Sequence, residues 1–456
     1  MITHKYRIYT IRLLSAIDKL TSYNLYLLMA MFILFTQSCD NDNLHQETMP
    51  DNTSSRVVLA YMAGENNLSV DAKADLDEML KGCTYMSPND TLIVFYDNSD
   101  KKKLPCIYEI TQKDKNKDLM DLSPVYTFEE DVNSASAATL DEVLQYLFSR
   151  YNADEYGLIF WSHGSGWVPS NYQSDNNNIK SNSCQQMPDR PIFESFGVDA
   201  GNNSTYTSQG YQMNISDMAD VLKKYPKTKF IMFDACFMQS IEVAFELSEY
   251  TESIIASPAE IPAWGAPYQE LTQPLFADTF NPNNVVDTYY SYYDSYYSNY
   301  GILLSVLDCK EFEAFTPIHN EMINKYQENF DNVDLSNTLN YFIFDKWNNP
   351  EYSSQYYQSD LPDYYDIRGV MRKVIADQSD YELWENQLNK LIRHSCMKET
   401  WYSGYPKSKS ARFMPVDPEQ FSGLTMYVEQ DKYKNHYFYD AYKHIKWAKA
   451  LGYEYQ

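Results

Sequence analysis

The chain has 456 residues, of which 44% are hydrophobic, so it can bury a large core and is neither disordered nor fibrous. Its 63 acidic and 37 basic residues give a formal net charge of −26. Nucleic-acid affinity depends on Lys and Arg side chains that neutralise phosphates, so this charge argues against a nucleic-acid partner. A basic peptide is easier to accommodate, although solubility alone is the simpler explanation of the acidity.

The first 39 residues differ from the rest of the chain. Four basic side chains precede an apolar run over residues 25–35, which is too short to span a bilayer but fits the hydrophobic region of an export signal. The run is followed by Ser38 and Cys39, a pattern that resembles a lipoprotein signal with Cys39 as the lipidated N-terminus, although Thr36 stands where such signals usually carry Leu. We therefore expect export and a lipid anchor in the outer membrane, facing the periplasm or the cell surface.

Residues 40–55 are polar and lack periodicity, which predicts an unstructured tether. The other cysteines are widely and irregularly spaced, and no CxxC or other metal-ligand spacing occurs, so we expect no structural metal site. Their even number leaves disulfide bonds open. These cysteines are Cys83, Cys106, Cys184, Cys236, Cys309 and Cys396.

From residue 56 onward, short apolar runs alternate with amphipathic stretches. The apolar runs predict buried parallel strands, and apolar residues at three-and-four spacing predict helices between them. This alternation indicates a doubly wound α/β sheet. The predicted strands are 57–62, 92–97, 158–161, 230–234, 254–257 and 302–307, and the predicted helices are 71–80, 139–151, 216–224 and 237–250, with a capping box of Thr139 and Glu142 at the second.

Three further regions lack this alternation. Residues 168–212 are polar and predict a long loop, of a length that is usually functional or mobile. Residues 284–300 carry Val and Tyr at helical spacing, which predicts a packing helix, with a sugar-binding aromatic platform as the alternative. Beyond the last predicted strand the pattern is mainly helical, ending with a strand at 424–428 and a helix near 439–450. We expect an α/β core over residues 56–310 and a mainly helical region over residues 311–456 that completes the fold.

Two segments share one design, an apolar strand that stops at a reactive side chain. One strand is followed by His163 and Gly164, and the strand over residues 230–234 is followed by Ala235 and Cys236. In open α/β sheets, ligands bind at the carboxyl ends of the strands, so both side chains are expected at the same rim. A cysteine at a helix N-terminus also gains thiolate character. The pair has the chemistry of a nucleophile and its general base.

A strand followed by His-Gly, with a later strand followed by Asp-Ala-Cys, resembles the clan of caspases, legumain, gingipains and clostripain. Four further segments, 58–68, 256–268, 303–308 and 423–427, are similar to the clostripain family within that clan. The resemblance covers roughly residues 56–430. It implies a caspase-like three-layer α/β sandwich with a mainly parallel central sheet, and a cysteine endopeptidase that acts as a monomer.

The resemblance implies a Cys-His dyad without a third member. His163 would accept the proton of Cys236, the thiolate would attack a peptide carbonyl, and water would hydrolyse the resulting thioester. The N–H groups of Gly164 and Cys236 are the candidates for the oxyanion hole, since glycine exposes its amide and the cysteine amide is expected to open a helix. No orienting acid is predicted, although a backbone carbonyl could fix the imidazole tautomer.

Members of the family cleave after Arg or Lys, which requires an acidic group in the primary specificity pocket. Asp234 lies two residues before Cys236, and strand alternation would point both side chains to the same face. Asp234 is equally well explained as a hydrogen-bonded acid at a strand end. Glu260, in the loop after the next strand, is a second candidate.

Clostripain-like enzymes are often activated by cleavage between the histidine and the cysteine. Lys180 is a plausible cleavage site, and Arg190 is a poor one because Pro191 follows it; an ordinary exposed loop is the alternative. No cofactor is expected. The calcium dependence of clostripain leaves calcium open, but the chain has no calcium-loop motif.

Two other functions are compatible with parts of the sequence. A serine hydrolase could use Ser165, but the chain has no Gly-x-Ser-x-Gly elbow, and the similar spacing at Gly197–Gly201 carries Asp199 in a polar segment. A surface lipoprotein could also keep the fold for binding peptides or glycans without catalysis. The presence of both His163 and Cys236 argues against this alternative.

Overall fold

In the computed structural model, the apolar runs predicted as strands between residues 57 and 257 form the centre of a nine-stranded sheet. The structure describes residues 53–100, 102–169, 195–201, 210–344, 361–403 and 413–452. The strands of the sheet lie in the order β12-β10-β9-β8-β5-β1-β2-β3-β4. They are β1 (Thr53–Gly64), β2 (Thr91–Asn98), β3 (Cys106–Ile110), β4 (Tyr126–Thr127), β5 (Asn152–Trp161), β8 (Phe230–Asp234), β9 (Ser253–Ala256), β10 (Leu304–Asp308) and β12 (Ile392–Cys396).

The five central strands, β9, β8, β5, β1 and β2, run parallel to one another. Antiparallel strands extend this centre on both sides, since β3 and β4 follow β2, and β10 and β12 follow β9. The central strands are buried on both faces, as expected for apolar runs in a parallel sheet. Three small antiparallel pairs lie outside this sheet: β6 (Phe196–Asp199) with β7 (Tyr211–Met213), β11 (Tyr365–Asp366) with β15 (Thr425–Met426), and β13 (Thr400–Tyr402) with β14 (Phe413–Pro415).

Helices cover both faces of the sheet, and each face has its own hydrophobic cluster. This confirms the predicted three-layer α/β sandwich. One face carries α1 (Ser69–Gly82), α5 (Tyr268–Leu275) and α6 (Pro282–Tyr296). The other carries α2 (Ala137–Arg150), α3 (Ile215–Leu222), α4 (Ile241–Leu247), α7 (Phe312–Lys325), α8 (Gln327–Asp331), α9 (Ile367–Val374), α10 (Gln378–Leu391), α11 (Tyr437–Tyr442) and α12 (Lys446–Ala450).

Several local predictions were wrong. The strand predicted over residues 302–307 is present as β10, but it runs antiparallel to its neighbours. The prediction of a parallel strand failed because an apolar run does not reveal strand direction. The N-cap of α2 is Ser136, whose hydroxyl accepts the Thr139 N–H, so Thr139 lies inside the helix and no Thr139/Glu142 capping box forms. The helix predicted from residue 237 begins only at Ile241, with Ser240 as its N-cap.

The predicted loop over residues 168–212 contains strand β6, which bridges to Gly164 through backbone hydrogen bonds. In the C-terminal region, β12 forms one edge of the central sheet, although the pattern there had predicted mainly helices. The helix predicted near 439–450 is divided into α11 and α12. The boundary predicted at residue 310 therefore falls between β10 and a region that supplies another strand to the same sheet.

The tyrosine-rich segment is helix α6, which begins with Pro282 at its first position. Its inward side is buried through two valines and two tyrosines, Val285, Val286, Tyr289 and Tyr293, as the packing interpretation requires. Among the residues that the structure describes, no helix is long and apolar enough to cross a membrane. Cys83, Cys106, Cys236, Cys309 and Cys396 are free thiols.

Candidate active site

His163 and Cys236 follow the carboxyl ends of two neighbouring parallel strands. Trp161 at the end of β5 pairs with Asp234 at the end of β8, and each reactive residue lies two positions beyond its strand end. The two chain segments touch at Gly164, where a Cβ would lie 2.7 Å from the Cys236 carbonyl oxygen. The residue after His163 must therefore be glycine for the segments to approach this closely.

Cys236 lies in a loop and not at a helix N-terminus. Helix α4 starts five residues later, because the chain first turns through Phe237, which adopts a φ of 60°. The Cys236 Sγ accepts the Ile261 N–H at 3.4 Å. Burial, followed by the charge of Glu260, raises the pKa of Cys236 to about 12. The predicted thiolate character is therefore wrong for this state, because no helix dipole offsets the cost of burying the charge.

The imidazole of His163 is held by Asn67, a residue that the sequence analysis missed. The His163 Nε2 lies 2.7 Å from Asn67 Oδ1. An amide oxygen only accepts hydrogen bonds, so Nε2 carries the proton and Nδ1 keeps the free lone pair. Burial lowers the pKa of His163 to about 4, so the ring is neutral at neutral pH. Ligand-binding residues lie at the carboxyl ends of parallel strands, and this rule could have identified Asn67. Asn67 follows the end of β1, the strand beside β5.

Strand β6 and the residue before it hold the segment around Gly164 through backbone hydrogen bonds. The Gly197 N–H donates to the His163 carbonyl at 2.9 Å, and the Ser165 N–H donates to the Ser195 carbonyl at 2.9 Å. Within the described part of the chain, neither the Gly164 nor the Cys236 N–H donates to a backbone carbonyl. The oxyanion-hole role of these two amides stays a prediction.

Asp234 is a buried acid in the layer of α5 and α6. Its carboxylate accepts the Ala266 N–H at 2.9 Å and the hydroxyls of Tyr268 and Tyr289 at 2.8 Å and 3.3 Å. Burial raises the pKa of Asp234 to about 6. The predicted shared face with Cys236 is wrong: β8 ends at Asp234, so the alternation stops there, and Cys236 packs on the opposite cluster.

A second buried carboxylate lies beside Asp234. A Cβ on Gly265 would lie 2.7 Å from Asp234 Oδ2 and 3.0 Å from Asp75 Oδ2, so both acids border the same glycine. Asp75 accepts the indole N–H of Trp161 at 2.6 Å. Among the described residues, no ion pair involves either acid. This pair of acids was not apparent from the sequence.

The remaining candidates lie in different surroundings. Glu260 is half-buried, accepts the Ser403 hydroxyl, and is close enough to Cys236 to raise its pKa. Ser165 is buried with its hydroxyl directed at the Ser195 carbonyl, so it is not presented as a nucleophile. Asp199 is buried and accepts the Ser134 and Gly201 N–H groups. Cys39, Lys180 and Arg190 lie outside the described residues.

A three-layer α/β sandwich with a histidine and a cysteine at the carboxyl rim of its parallel strands defines a caspase-like cysteine peptidase. The model of the clostripain family matches residues 60–187 and 195–454. The chain therefore belongs to the clostripain family of cysteine peptidases.

Individual relatives agree with this assignment. Clostripain from Hathewaya histolytica is 25% identical over 232 residues, which are 46% of this chain and 40% of the length of that relative. A secreted C11 cysteine protease from Bacteroides thetaiotaomicron, solved in complex with an irreversible peptide inhibitor, is 26% identical with a TM-score of 0.67, covering 87% of this chain and 99% of that one. An inactive zymogen C11 protease from Parabacteroides distasonis has the same fold, with 24% identity, a TM-score of 0.67 and coverage of 89% and 99%.

Proposed function

We propose that the protein is a cysteine endopeptidase that cleaves peptide bonds after basic residues through a thioester intermediate. The observation that carries this proposal is the position of the two reactive residues at the carboxyl rim of the sheet. His163 and Cys236 follow the ends of two neighbouring parallel strands, and the contact with Asn67 leaves the Nδ1 of the imidazole free as a base, which supports the proposal. A thiol and a neutral imidazole at one site are the parts that acyl transfer needs.

The resting state is a neutral pair, because burial raises the pKa of Cys236 and lowers the pKa of His163. The thiol therefore loses its proton to His163 Nδ1 as Sγ attacks the substrate carbonyl. The N–H groups of Gly164 and Cys236 receive the developing oxyanion. His163 then returns the proton to the leaving amine, and water, deprotonated by the same nitrogen, hydrolyses the thioester.

Asn67 makes this sequence of proton transfers possible. It keeps the proton on Nε2 through the 2.7 Å contact, so the ring cannot turn its protonated nitrogen toward the thiol. It also orients the imidazolium that forms during attack. A side-chain amide thus performs the orienting task that the sequence analysis had left to a backbone carbonyl.

Two buried acids beside the rim support a preference for a basic substrate side chain. Asp234 and Asp75 are buried next to each other, and burial raises the pKa of both. An Arg or Lys that reaches Asp234 would supply the missing positive charge and favour ionised carboxylates. Glu260 is the second candidate, because its charge acts on the site from the side of the Ile261 loop.

The direct test is covalent labelling with a peptide probe that carries Arg before a thiol-reactive group. Wild-type protein should be labelled and should cleave Arg-containing members of a positional peptide library, while Cys236→Ala should do neither. Asp234→Asn, which keeps the shape of the side chain, should lower kcat/KM for Arg substrates more than for uncharged ones. Unchanged cleavage after Arg in that variant would remove Asp234 from the specificity pocket.

A lipoprotein that binds peptides or glycans without catalysis is the second candidate. The probe separates the two functions, since a binding protein would retain labelled peptide reversibly and equally well in the Cys236→Ala variant. The peptide inhibitor bound to the Bacteroides thetaiotaomicron relative supports the enzyme.

We further propose export as a monomer, lipid attachment at Cys39, an outer-membrane location and activation by cleavage at Lys180. One relative is described as secreted, which supports export. Metabolic labelling with a fatty-acid analogue, compared between wild type and Cys39→Ala, tests the anchor. N-terminal sequencing of the fragments formed by wild type and Lys180→Gln tests the cleavage site.

A further inference from the structure

The edge strand β12 carries a histidine and a cysteine on one face. His394 and Cys396 are two positions apart, so their side chains leave the strand on the same side. Their neighbours across the ladder are Val306 and Leu304 of β10, which belong to the hydrophobic cluster that helix α6 covers. His394 and Cys396 therefore face α6, and both are only partly buried.

Helix α6 contributes an aspartate to the same place. The His394 Nε2 lies 2.7 Å from Asp287 Oδ1, and the Cys396 thiol donates to the same oxygen at 3.5 Å. The Cys396 Sγ also lies 3.6 Å from His394 Nε2. A sulfur, a nitrogen and an oxygen from two separate elements thus converge on one point.

The chemistry of these three groups suits zinc. Thiolate sulfur and imidazole nitrogen are ligands that Zn²⁺ favours, whereas Mg²⁺ and Ca²⁺ prefer oxygen. One thiolate and one carboxylate, beside a neutral imidazole, also balance the charge of a divalent cation. Within the described residues, neither Lys nor Arg forms an ion pair with Asp287.

The distances fit tetrahedral coordination. With metal–sulfur bonds of about 2.3 Å and metal–nitrogen or metal–oxygen bonds of about 2.0 Å, tetrahedral angles put sulfur about 3.5 Å from the other two ligand atoms. The Cys396 Sγ lies 3.6 Å from His394 Nε2 and 3.5 Å from Asp287 Oδ1. The 2.7 Å contact between His394 and Asp287 must widen by about half an ångström. The Asp287 side chain is 55% exposed, so its carboxylate can move this far without disturbing the core.

We infer that Asp287, His394 and Cys396 form a binding site for Zn²⁺, with the fourth coordination position open to water. The ion takes the place of the two hydrogen atoms that lie between the ligand atoms in its absence. The Cys396 thiol releases its proton to solvent, and the neutral His394 imidazole carries its proton on Nδ1 instead of Nε2. Three protein ligands leave one position of a tetrahedral zinc ion for water.

The ion fastens the edge of the sheet to the helix beside it. β12 is the last strand on its side of the sheet and pairs with β10. Asp287 lies 107 residues before His394, so zinc joins the C-terminal region to the core. The sequence analysis expected no structural metal site, because a His-x-Cys spacing without its third ligand is not a metal motif.

Zinc binding can be measured without catalysis. The full chain carrying Cys236→Ala, purified without a polyhistidine tag, is freed of metal with a chelator and titrated with Zn²⁺ or Co²⁺. We expect one ion per chain and, for Co²⁺, a sulfur-to-metal charge-transfer band together with the visible bands of a four-coordinate ion. Zn²⁺ should displace Co²⁺, excess Mg²⁺ should not, and Zn²⁺ should raise the melting temperature by several degrees. Absence of the charge-transfer band would overturn the inference.

Cys396→Ser and Asp287→Asn identify the ligands. Cys396→Ser offers no thiolate, so the charge-transfer band should disappear and Zn²⁺ affinity should fall at least about 100-fold. Asp287→Asn should keep the band and lower the affinity at least about 10-fold. Without metal, both variants should melt close to the parent, which shows that they fold. A band that persists in Cys396→Ser would place the ion elsewhere and refute the site.

Asp294→Asn is the matched control. Asp294 also lies on α6 and forms an ion pair at 2.5 Å with Lys398, two residues beyond Cys396. It should bind Zn²⁺ as the parent does, because Asp294 is not a ligand. Equal losses of affinity in Asp294→Asn and Asp287→Asn would show that only the attachment of α6 matters, and would contradict ligation by Asp287. The inference does not depend on the proposed peptidase function, because every readout is made without cleavage in the Cys236→Ala background.

Discussion

Two groups of polar side chains, which we call corners, lie at the carboxyl rim of the sheet and differ in burial and hydrogen bonding. The catalytic corner, Asn67, His163, Gly164 and Cys236, is partly exposed, and its histidine and cysteine have hydrogen-bond partners. The acidic corner, which consists of Glu65, Asp97, Asp131 and Asp199, contains buried oxygens without partners. The same construction, a polar residue at or beyond the end of a parallel strand, produces both corners. What differs is the hydrogen bonding: His163 and Cys236 have partners, whereas Glu65 Oε2 and Asp97 Oδ2 have none.

Replacing Cys236 should give the largest effect on the catalytic corner and little effect on the acidic corner. Cys236→Ala removes the proposed nucleophile, so we expect peptide cleavage to fall by at least about 10⁴-fold. The melting temperature should change little, because Cys236 is only partly buried. Cleavage kinetics and calorimetry measure the two effects. Substantial residual cleavage would place the nucleophile elsewhere.

Asn67 Oδ1 lies 2.7 Å from His163 Nε2, so replacing Asn67 tests this contact. Asn67→Ala frees the imidazole to change its orientation and tautomer, and we expect kcat to fall about 10²-fold with little change in KM. Steady-state kinetics over a range of pH values measure this split.

Asn67→Asp provides the control for a purely structural role. It keeps an acceptor oxygen but adds a negative charge beside the ring, which stabilises the imidazolium and raises the pKa of His163. The acid limb of kcat/KM should therefore move to higher pH than in wild type. If both variants retain the wild-type pH profile, Asn67 does not orient His163.

Gly164→Ala should disturb the catalytic corner more weakly. The new Cβ would lie 2.7 Å from the Cys236 carbonyl oxygen and 2.9 Å from Ala235 Cβ, so the cysteine segment must shift. We expect kcat to fall about 10-fold, because small displacements of a reacting group are costly. Gly369→Ala is the control, because Gly369 lies in helix α9 and the nearest atom to its Cβ position, at 2.7 Å, is the end of the flexible Gln420 side chain. Equal losses in both variants would contradict the role of close approach.

The smallest expected effect concerns the charge state of Cys236. Because its pKa is raised, alkylation by iodoacetamide should accelerate steadily between about pH 6 and pH 9. A thiolate–imidazolium pair would instead give a rate that is nearly constant in this range. Site-resolved mass spectrometry separates Cys236 from Cys396, the other partly exposed thiol among the described cysteines. A constant rate at Cys236 would show that the ion pair exists at rest.

Much of the fold was predictable because the central strands are buried on both faces. Their apolar runs appear directly in the sequence, and the strand predicted over residues 230–234 matches β8. Strand direction was less accessible: β10 is an apolar run like the parallel strands β8 and β9 but runs the other way. The start of α4 was also missed, since the left-handed turn at Phe237 depends on packing of its ring against Tyr364, far away in the chain.

The sequence by itself determined the family, the central strands, and the arrival of His163 and Cys236 at the same rim, because each of these is written in a contiguous segment. The tertiary structure alone decided how these residues are charged and held. The hydrogen bond from His163 to Asn67 spans 96 residues, and Glu65, Asp97 and Asp199 come from three separate segments of the chain. Burial and pairing depend on such long-range neighbours, and a pKa follows from them rather than from the residue type.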